Sequence, residues 1–221
     1  MKANINIQSR ESGFTLIEIA IVLVIIGLLL GGVLQGQQLI ENSRVKNVTN
    51  NLNAIAAASF SYQDRYGRMP GDDGNGNVAN LTARGGTWAD IPAASAGDSD
   101  GILDATAANT FAGSGEGAMF FTHLRAAGFI IGDPGTALGT AAILPTNGFG
   151  GLVGVTGETI DGTLSGIKLC ASNIPGSAGI ALDQQLDDGQ SNSGRLEVLL
   201  AVSLKTALDL DFAVVGQGSK F

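Results

Sequence analysis

The chain has 221 residues, a formal net charge of −8 and 33 glycines. Its acidic balance, with one tryptophan and no cluster of lysine or arginine, argues against nucleic acid as the main partner. The single cysteine, Cys170, excludes a disulfide within the chain, and the single histidine, His123, leaves too few ligands for a structural zinc site.

The first predicted element is an apolar segment near the N-terminus. Residues 14–34 have only two polar interruptions, Thr15 and Glu18, and the 22 residues from 19 to 40 carry no charge. A transmembrane helix needs about 20 mainly apolar residues, so this segment is long enough to span a bilayer. The alternatives are a cleaved secretory signal and a plain single-pass anchor. The run exceeds the ~7–15 residues of a typical signal core, and no small-x-small cleavage site follows it.

A third interpretation depends on Glu18, which taken alone is equally compatible with a harmless position at the membrane interface. A carboxylate at the centre of a membrane helix costs ~2.5–3.5 kcal/mol, and less near the helix end, so it normally has a partner or a function. A short leader with basic residues ends at Gly13 and is followed at once by residues 14–18, Phe-Thr-Leu-Ile-Glu. This motif ahead of an apolar helix resembles the prepilin signal of type IV pilins and of type II secretion pseudopilins.

The resemblance implies how the N-terminus is processed. A membrane prepilin peptidase would cut between Gly13 and Phe14 on the cytoplasmic side, remove the leader of residues 1–13 and N-methylate Phe14. Glu18 would neutralise the new Phe14 ammonium of a neighbouring subunit, because paired buried charges cost much less than unpaired ones. Phe14 and Glu18 are i and i+4 on one helix face. Basic residues on the two sides of the apolar run are equal in number, so only the resemblance implies a cytoplasmic leader.

A continuous helix is predicted from residue 14 to residue 66, with a stop signal at 67–71, Gly-Arg-Met-Pro-Gly. Residues 14–68 form the long-helix region, of which about 14–36 are transmembrane. Beyond the membrane segment the apolar residues step by three and four, which indicates an amphipathic helix that packs on a globular head. The stripe consists of Val45, Val48, Leu52, Ile55, Ser59, Tyr62 and Tyr66.

Four glycines form two Gly-x-x-x-Gly pairs inside the apolar segment: Gly27 with Gly31, and Gly32 with Gly36. In lipid this spacing allows helices to approach closely. The pairs indicate either a simple membrane dimer face or, as the resemblance implies, a tightly packed filament core in which the helix can unwind locally.

The head, residues 69–221, contains six basic and sixteen acidic residues, a net charge of −10, and 27 of the 33 glycines. We expect an α+β fold, the pilin fold, in which an antiparallel sheet with long glycine-rich loops packs on the C-terminal half of the long helix. Strands are predicted at 152–156, 164–170, 196–202 and 212–215, and helices at 116–127 and 177–186.

Residues 98–104, Asp-Ser-Asp-Gly-Ile-Leu-Asp, place Asp98, Asp100 and Asp104 around a glycine turn, as calcium loops do. Alanines at the first and twelfth loop positions exclude a complete EF-hand. A calcium ion would need further ligands, from Glu116 or from the acidic pairs at 72–73 and 187–188. The alternative is a solvated acidic turn. Some type II secretion pseudopilins bind calcium in the head, so the resemblance adds support for the ion, although the solvated turn remains the slightly favoured interpretation.

Enzyme motifs are missing from the sequence: there is no nucleophile elbow, no P-loop and no dinucleotide fingerprint. We therefore expect no catalytic activity. His123 lies on a predicted helix among apolar residues, and Cys170 lies in an apolar strand pattern, so both are expected to be structural.

The sequence thus predicts a structural subunit of a type IV pilus or pilus-like filament, which polymerises through its long helix after leader cleavage. One alternative is a pseudopilin of a type II secretion system. The other is a membrane-anchored calcium-binding module that never polymerises. The expected partners are other pilin subunits, prepilin peptidase and an inner-membrane assembly platform. The precursor would lie in the bacterial inner membrane and the filament in the periplasm or outside the cell.

Overall fold

The structure is a computed structural model, and it describes residues 13, 15–158 and 166–186 together with the backbone of 196–199 and 212–216. Three 3₁₀ turns accompany the main elements, at Gly86–Asp90, Ala107–Asn109 and Ala141–Ile143. The helices are α1 Leu16–Tyr66, α2 Val78–Thr82, α3 Gly115–Ala126 and α4 Gly176–Leu186, and the strands are β1 Val153–Thr156, β2 Lys168–Ser172, β3 Leu196–Leu199 and β4 Phe212–Gly216.

Helix α1 confirms the long helix that the sequence predicts. It begins at Leu16, two residues after Phe14, which lies outside the described residues. It ends at Tyr66 because Gly67 adopts the left-handed conformation, with φ of 64°, and donates its N–H to the carbonyl of Gln63 at 2.8 Å. A glycine is favoured there, since other residues rarely adopt positive φ.

The described residues up to 41 belong to one compact unit, and their large apolar side chains are exposed. Among the described residues, α1 is the one helix long and apolar enough to cross a membrane. The helix runs without a break through the four glycines of the two Gly-x-x-x-Gly pairs, and a Cβ at any of them would meet nothing within 4 Å. Their role in helix packing therefore stays a prediction.

Residues from 42 onward form a second compact unit, which contains the rest of α1 and the head. The amphipathic stripe of α1 lies where the sequence predicts it. Ser59 and Tyr66 are half-buried, and the other members of the stripe are buried. They belong to one hydrophobic core with apolar side chains of α3, α4, β1 and β2.

The sheet has the strand order β1-β2-β4-β3, and every neighbouring pair is antiparallel. Helix α3 packs against β1, and α4 packs against β3. The α+β fold is confirmed. Strands β1 and β4 agree with the prediction to within one residue. Strand β2 begins at Lys168 rather than at 164, and residues 164–165 and 200–202 of the predicted strands lie outside the described residues.

Three polar side chains join α1 to the loops that follow it. The Tyr62 hydroxyl donates to Asp73 Oδ2 at 2.7 Å, and Arg84 Nη2 lies 2.8 Å from the same oxygen. Arg84 also stacks on two rings, 4.5 Å from the centroid of Tyr66 and 4.6 Å from that of Trp88. Burial and the bond to Asp73 raise the pKa of Tyr62, which keeps the hydroxyl protonated and donating.

His123 is fully buried in α3 and is bonded at both nitrogens. Its Nδ1 accepts the backbone N–H of Gly71 at 2.9 Å, so Nε2 carries the proton and donates to the carbonyl of Ser95 at 2.6 Å. Burial lowers the pKa of His123 to about 4, against the opposing effects of the Ser95 bond and the nearby Asp73. The side chain is a neutral structural link between α3 and two loops.

Because His123 is buried as a neutral group, we expect the head to lose stability as the pH falls. The folded-state pKa of His123 lies below its unfolded value of 6.5, so its stabilising contribution is complete above pH 6.5 and is lost as the pH falls toward 4. The loss amounts to about 3 kcal/mol at ~1.4 kcal/mol per pH unit. Urea unfolding of the full chain in detergent micelles at several pH values measures it.

His123→Gln is the matched control, because an amide can make the same two hydrogen bonds and does not titrate. All other groups titrate in both proteins, so the difference between the two unfolding free energies isolates the histidine. A difference that does not change between pH 7 and pH 4 would show that His123 is not buried as a neutral group.

Candidate functional site

Three reciprocal hydrogen bonds between Thr15 and Glu18 close the start of α1. The backbone N–H and the hydroxyl of Thr15 donate to Glu18 Oε2 at 2.8 and 2.7 Å. The backbone N–H of Glu18 donates to Thr15 Oγ1 at 3.3 Å. This arrangement is a capping box, with Thr15 at the N-cap and Glu18 at the third helical position.

Sequence reasoning identified Glu18 but missed Thr15. The signal was present, because Thr15-Leu-Ile-Glu18 matches the Ser/Thr-x-x-Glu/Gln pattern of a capping box directly ahead of an apolar run. Gly13 is exposed and precedes the helix, while Phe14 lies outside the described residues. The cleavage and methylation positions therefore stay predictions.

The second candidate region is the acidic segment at 98–104. Asp98, Asp100 and Asp104 are exposed, and each places a carboxylate oxygen within 4.8 Å of the other two. Asp98 also lies in a second group of this kind with Asp72 and Glu116. The structure therefore brings together the three predicted ligands and two of the additional ligands that the sequence suggests, Asp72 and Glu116.

Two buried carboxylates hold this segment in place. Asp72 is 2% exposed and accepts the backbone N–H groups of Asp100 and Gly101 at 3.1 and 3.0 Å. Glu116 is 8% exposed and accepts those of Asp98 and Asp104 at 3.4 and 2.7 Å. The segment is thus wrapped around two acidic side chains that come from other parts of the chain.

Burial raises the pKa of both Asp72 and Glu116, and nearby aspartates add to the increase. The backbone N–H bonds act in the opposite direction. Ionised carboxylates that cluster with few cations destabilise the fold, and a bound cation would relieve this repulsion. Carboxylate oxygens are also the ligands that calcium prefers, so the donor set fits that ion.

Asp73 differs from its neighbour Asp72. Sequence reasoning treated the pair at 72–73 as one source of ligands, but the Asp73 carboxylate bonds to Tyr62 and Arg84 instead. The acidic pair at 187–188 lies outside the described residues. Among the additional calcium ligands that the sequence suggests, the described structure places Asp72 and Glu116 beside residues 98–104.

Comparison with known families bears on the N-terminal region. A family model described as the prokaryotic N-terminal methylation motif matches residues 8–34. The chain carries this methylation motif. This motif is the hallmark of type IV pilin and pseudopilin prepilins, and the chain is similar to them over those residues. Searches of curated proteins and of solved structures found no match.

A prepilin of this class is a structural protein and is generally not an enzyme. The motif implies processing by prepilin peptidase, and the apolar N-terminal helix fits a membrane-anchored precursor. The match covers the leader and the apolar part of α1, so it says nothing about the acidic segment of the head.

The backbone of Gly97 lies close to the backbone of residues 71–73, and this contact positions the acidic segment. Gly97 donates to the carbonyl of Asp73 at 2.9 Å, and Ser99 donates to the carbonyl of Asp72 at 2.8 Å. A Cβ on Gly97 would overlap the carbonyl oxygen of Gly71 and the Cα of Asp72. Only glycine fits there without a backbone shift.

Gly97→Ala is therefore expected to destabilise the head by ~1–3 kcal/mol, as overpacked sites do. Thermal unfolding of the full chain in micelles measures the change. Gly176→Ala is the matched control, since Gly176 begins α4 and a Cβ there meets nothing within 4 Å. Equal melting temperatures for the two variants would contradict the close approach at Gly97.

Proposed function

We propose that the chain is a structural subunit of a type IV pilus or pilus-like filament. The precursor is held in the inner membrane by the apolar part of α1. Prepilin peptidase hydrolyses the bond between Gly13 and Phe14 and N-methylates Phe14. The mature subunit, residues 14–221, then joins a helical polymer through α1. The ATPase of the assembly platform supplies the energy for polymerisation.

One observation carries this proposal: the methylation motif leads directly into a single helix that changes character along its length. Its first part exposes apolar side chains on all sides, as a segment in lipid or between neighbouring helices does. From Val45 onward it buries one stripe in the core of the head. A helix of this kind supports both a membrane-held precursor and a filament built from the same segment.

Electrostatics supports the role of Glu18 in assembly. Cleavage creates an ammonium group at Phe14, and Glu18 is the only acidic residue between the cleavage point and residue 40. In lipid or in a filament core either charge alone is costly, and a pair is much less so. Pairing between neighbouring subunits would favour one axial register.

Processing is tested by mass spectrometry of the chain expressed with a prepilin peptidase. The expected product begins at N-methylated Phe14 and is recovered in filaments sheared from the cell surface. Glu18→Ala should strongly reduce filament recovery or methylation, because the ammonium then has no counter-ion. Glu41→Ala is a matched control, since residue 41 lies beyond the apolar segment.

Retention of residues 1–13 would contradict the proposal and support the non-polymerising membrane-anchored module instead. Normal, fully methylated filaments from the Glu18→Ala chain would remove the proposed role of Glu18. A pseudopilin of a type II secretion system shares every N-terminal feature, and gene deletion separates the two cases. Loss of surface filaments supports a pilus, and loss of exported enzymes supports a secretion system.

We further propose that the acidic segment at 98–104 binds calcium. The ligands would be Asp98, Asp100 and Asp104, with Asp72 and Glu116 close by. Support comes from the convergence of these carboxylates and from the raised pKa of the two buried ones, which a divalent cation would offset. The solvated acidic turn is the alternative.

Calcium at about ten times its dissociation constant is expected to stabilise the head by about 1.4 kcal/mol. Extracellular calcium modules bind in the ~0.1–1 mM range, so ~1–10 mM calcium reaches this condition. Thermal unfolding and titration calorimetry of the full chain in micelles measure the effect, and the chain carrying D98N, D100N and D104N is the control. No heat and no shift in melting temperature would exclude the ion.

A further inference from the structure

We propose that Thr15 is a positioning residue that orients the Glu18 carboxylate for pairing with the ammonium group of a mature subunit. The inference rests on the proposed function. It adds a named residue and a geometry: Thr15 holds one carboxylate oxygen of Glu18, and the other oxygen is presented to the incoming cation.

The hydrogen bonds at the start of α1 define this geometry. Both donors of Thr15, its N–H and its hydroxyl, converge on the same oxygen of Glu18, Oε2. Two bonds to one oxygen fix the rotation of the carboxylate and leave Oε1 as the oxygen that accepts from a further donor. The third bond, from the Glu18 N–H to Thr15 Oγ1, fixes the hydroxyl in turn.

A fixed carboxylate pairs more strongly than a mobile one. A free glutamate side chain loses rotamer freedom when it binds a cation, and this loss weakens the pair. The capping box removes that freedom before the partner arrives. It also satisfies the N–H groups of Thr15 and Glu18, which lie where the apolar segment begins and water becomes scarce.

The arrangement uses the hydroxyl of Thr15 and not its methyl group, which permits an isosteric test. Thr15→Val keeps the shape and removes the hydroxyl, whereas Thr15→Ser keeps the hydroxyl and removes the methyl. The full chain with each substitution is expressed with a prepilin peptidase and the assembly platform. Leader cleavage is measured by mass, and assembly by the fraction of mature subunit in sheared filaments.

Thr15→Val is expected to be cleaved normally and to lower the filament fraction about fivefold, the factor that corresponds to the loss of an N-cap side chain. Thr15→Ser is expected to assemble like the wild type. Wild-type assembly by Thr15→Val, or failure of Thr15→Ser with success of Thr15→Val, would overturn the inference.

A double substitution separates positioning from general support of the helix. Glu18→Gln preserves the capping box, because glutamine serves at that position, but it removes the charge that pairs with the ammonium. If Thr15 acts through Glu18, Thr15→Val causes no further loss of filaments in the Glu18→Gln chain. A further fivefold loss in that background would show that Thr15 only stabilises the helix.

Hydrogen exchange provides a readout that does not depend on assembly. In the uncleaved full chain in micelles, the Thr15 N–H should exchange about tenfold more slowly than in Glu18→Ala, which lacks the acceptor. Equal rates would overturn the geometry. Failure of the proposed function looks different, since the wild-type chain would then keep its leader or form no filaments.

Discussion

A hydrogen-bonded ion pair between Arg84 and Asp73 is the constraint on which the geometry of the head depends. Asp73 is almost fully buried, so its charge requires both the guanidinium and the Tyr62 hydroxyl. These contacts fix the backbone of 71–73 against α1, and His123 fixes it from the other side through the N–H of Gly71. Asp72, the next residue along the chain, is thereby directed at the backbone of 98–101. The acidic segment therefore depends on contacts made by side chains outside it.

The two parts of helix α1 suit different environments, although the helix is continuous. Up to Leu34 its surface is apolar on every side apart from the first turn with Glu18, which suits lipid or neighbouring helices and not water. From Val45 the apolar residues recur at steps of three and four, and most of that stripe is buried together with Ala56 and Ala58 beside it. Charge first becomes frequent where these regions meet, at Glu41, Arg44 and Lys46. The change in pattern, and not a break in the helix, distinguishes the apolar segment from the part of α1 that packs in the core of the head.

Much of this architecture could be predicted because it depends on local pattern. The end of α1 at Gly67, the stripe of α1, helix α3 and strands β1 and β4 all follow from periodicity and from glycine and proline signals. Helix α2 and the three 3₁₀ turns were missed. These elements are short, and they are stabilised by contacts with residues distant in sequence. One example is the hydrogen bond that the Thr87 hydroxyl donates to the carbonyl of Ala126. The same reason explains why no pattern could assign Asp72 to the acidic segment and Asp73 to Arg84. Thr15 is different, because the capping-box pattern of residues 15–18 is local and can be recognised in the sequence.

The residue at position 18 is a glutamate although a neutral side chain could cap the helix there. A capping box accepts glutamine as well as glutamate, so the start of α1 does not by itself require a negative charge. That charge is costly at the edge of an apolar segment, where glutamine would be tolerated better. No basic residue lies between Gly13 and Ile40 to offset it. Under the proposed function, leader cleavage would supply the missing cation, because it would convert the peptide nitrogen of Phe14 into an ammonium group. The precursor would then carry a charge whose partner forms only on processing, and pairing between mature subunits would relieve the cost that the precursor bears.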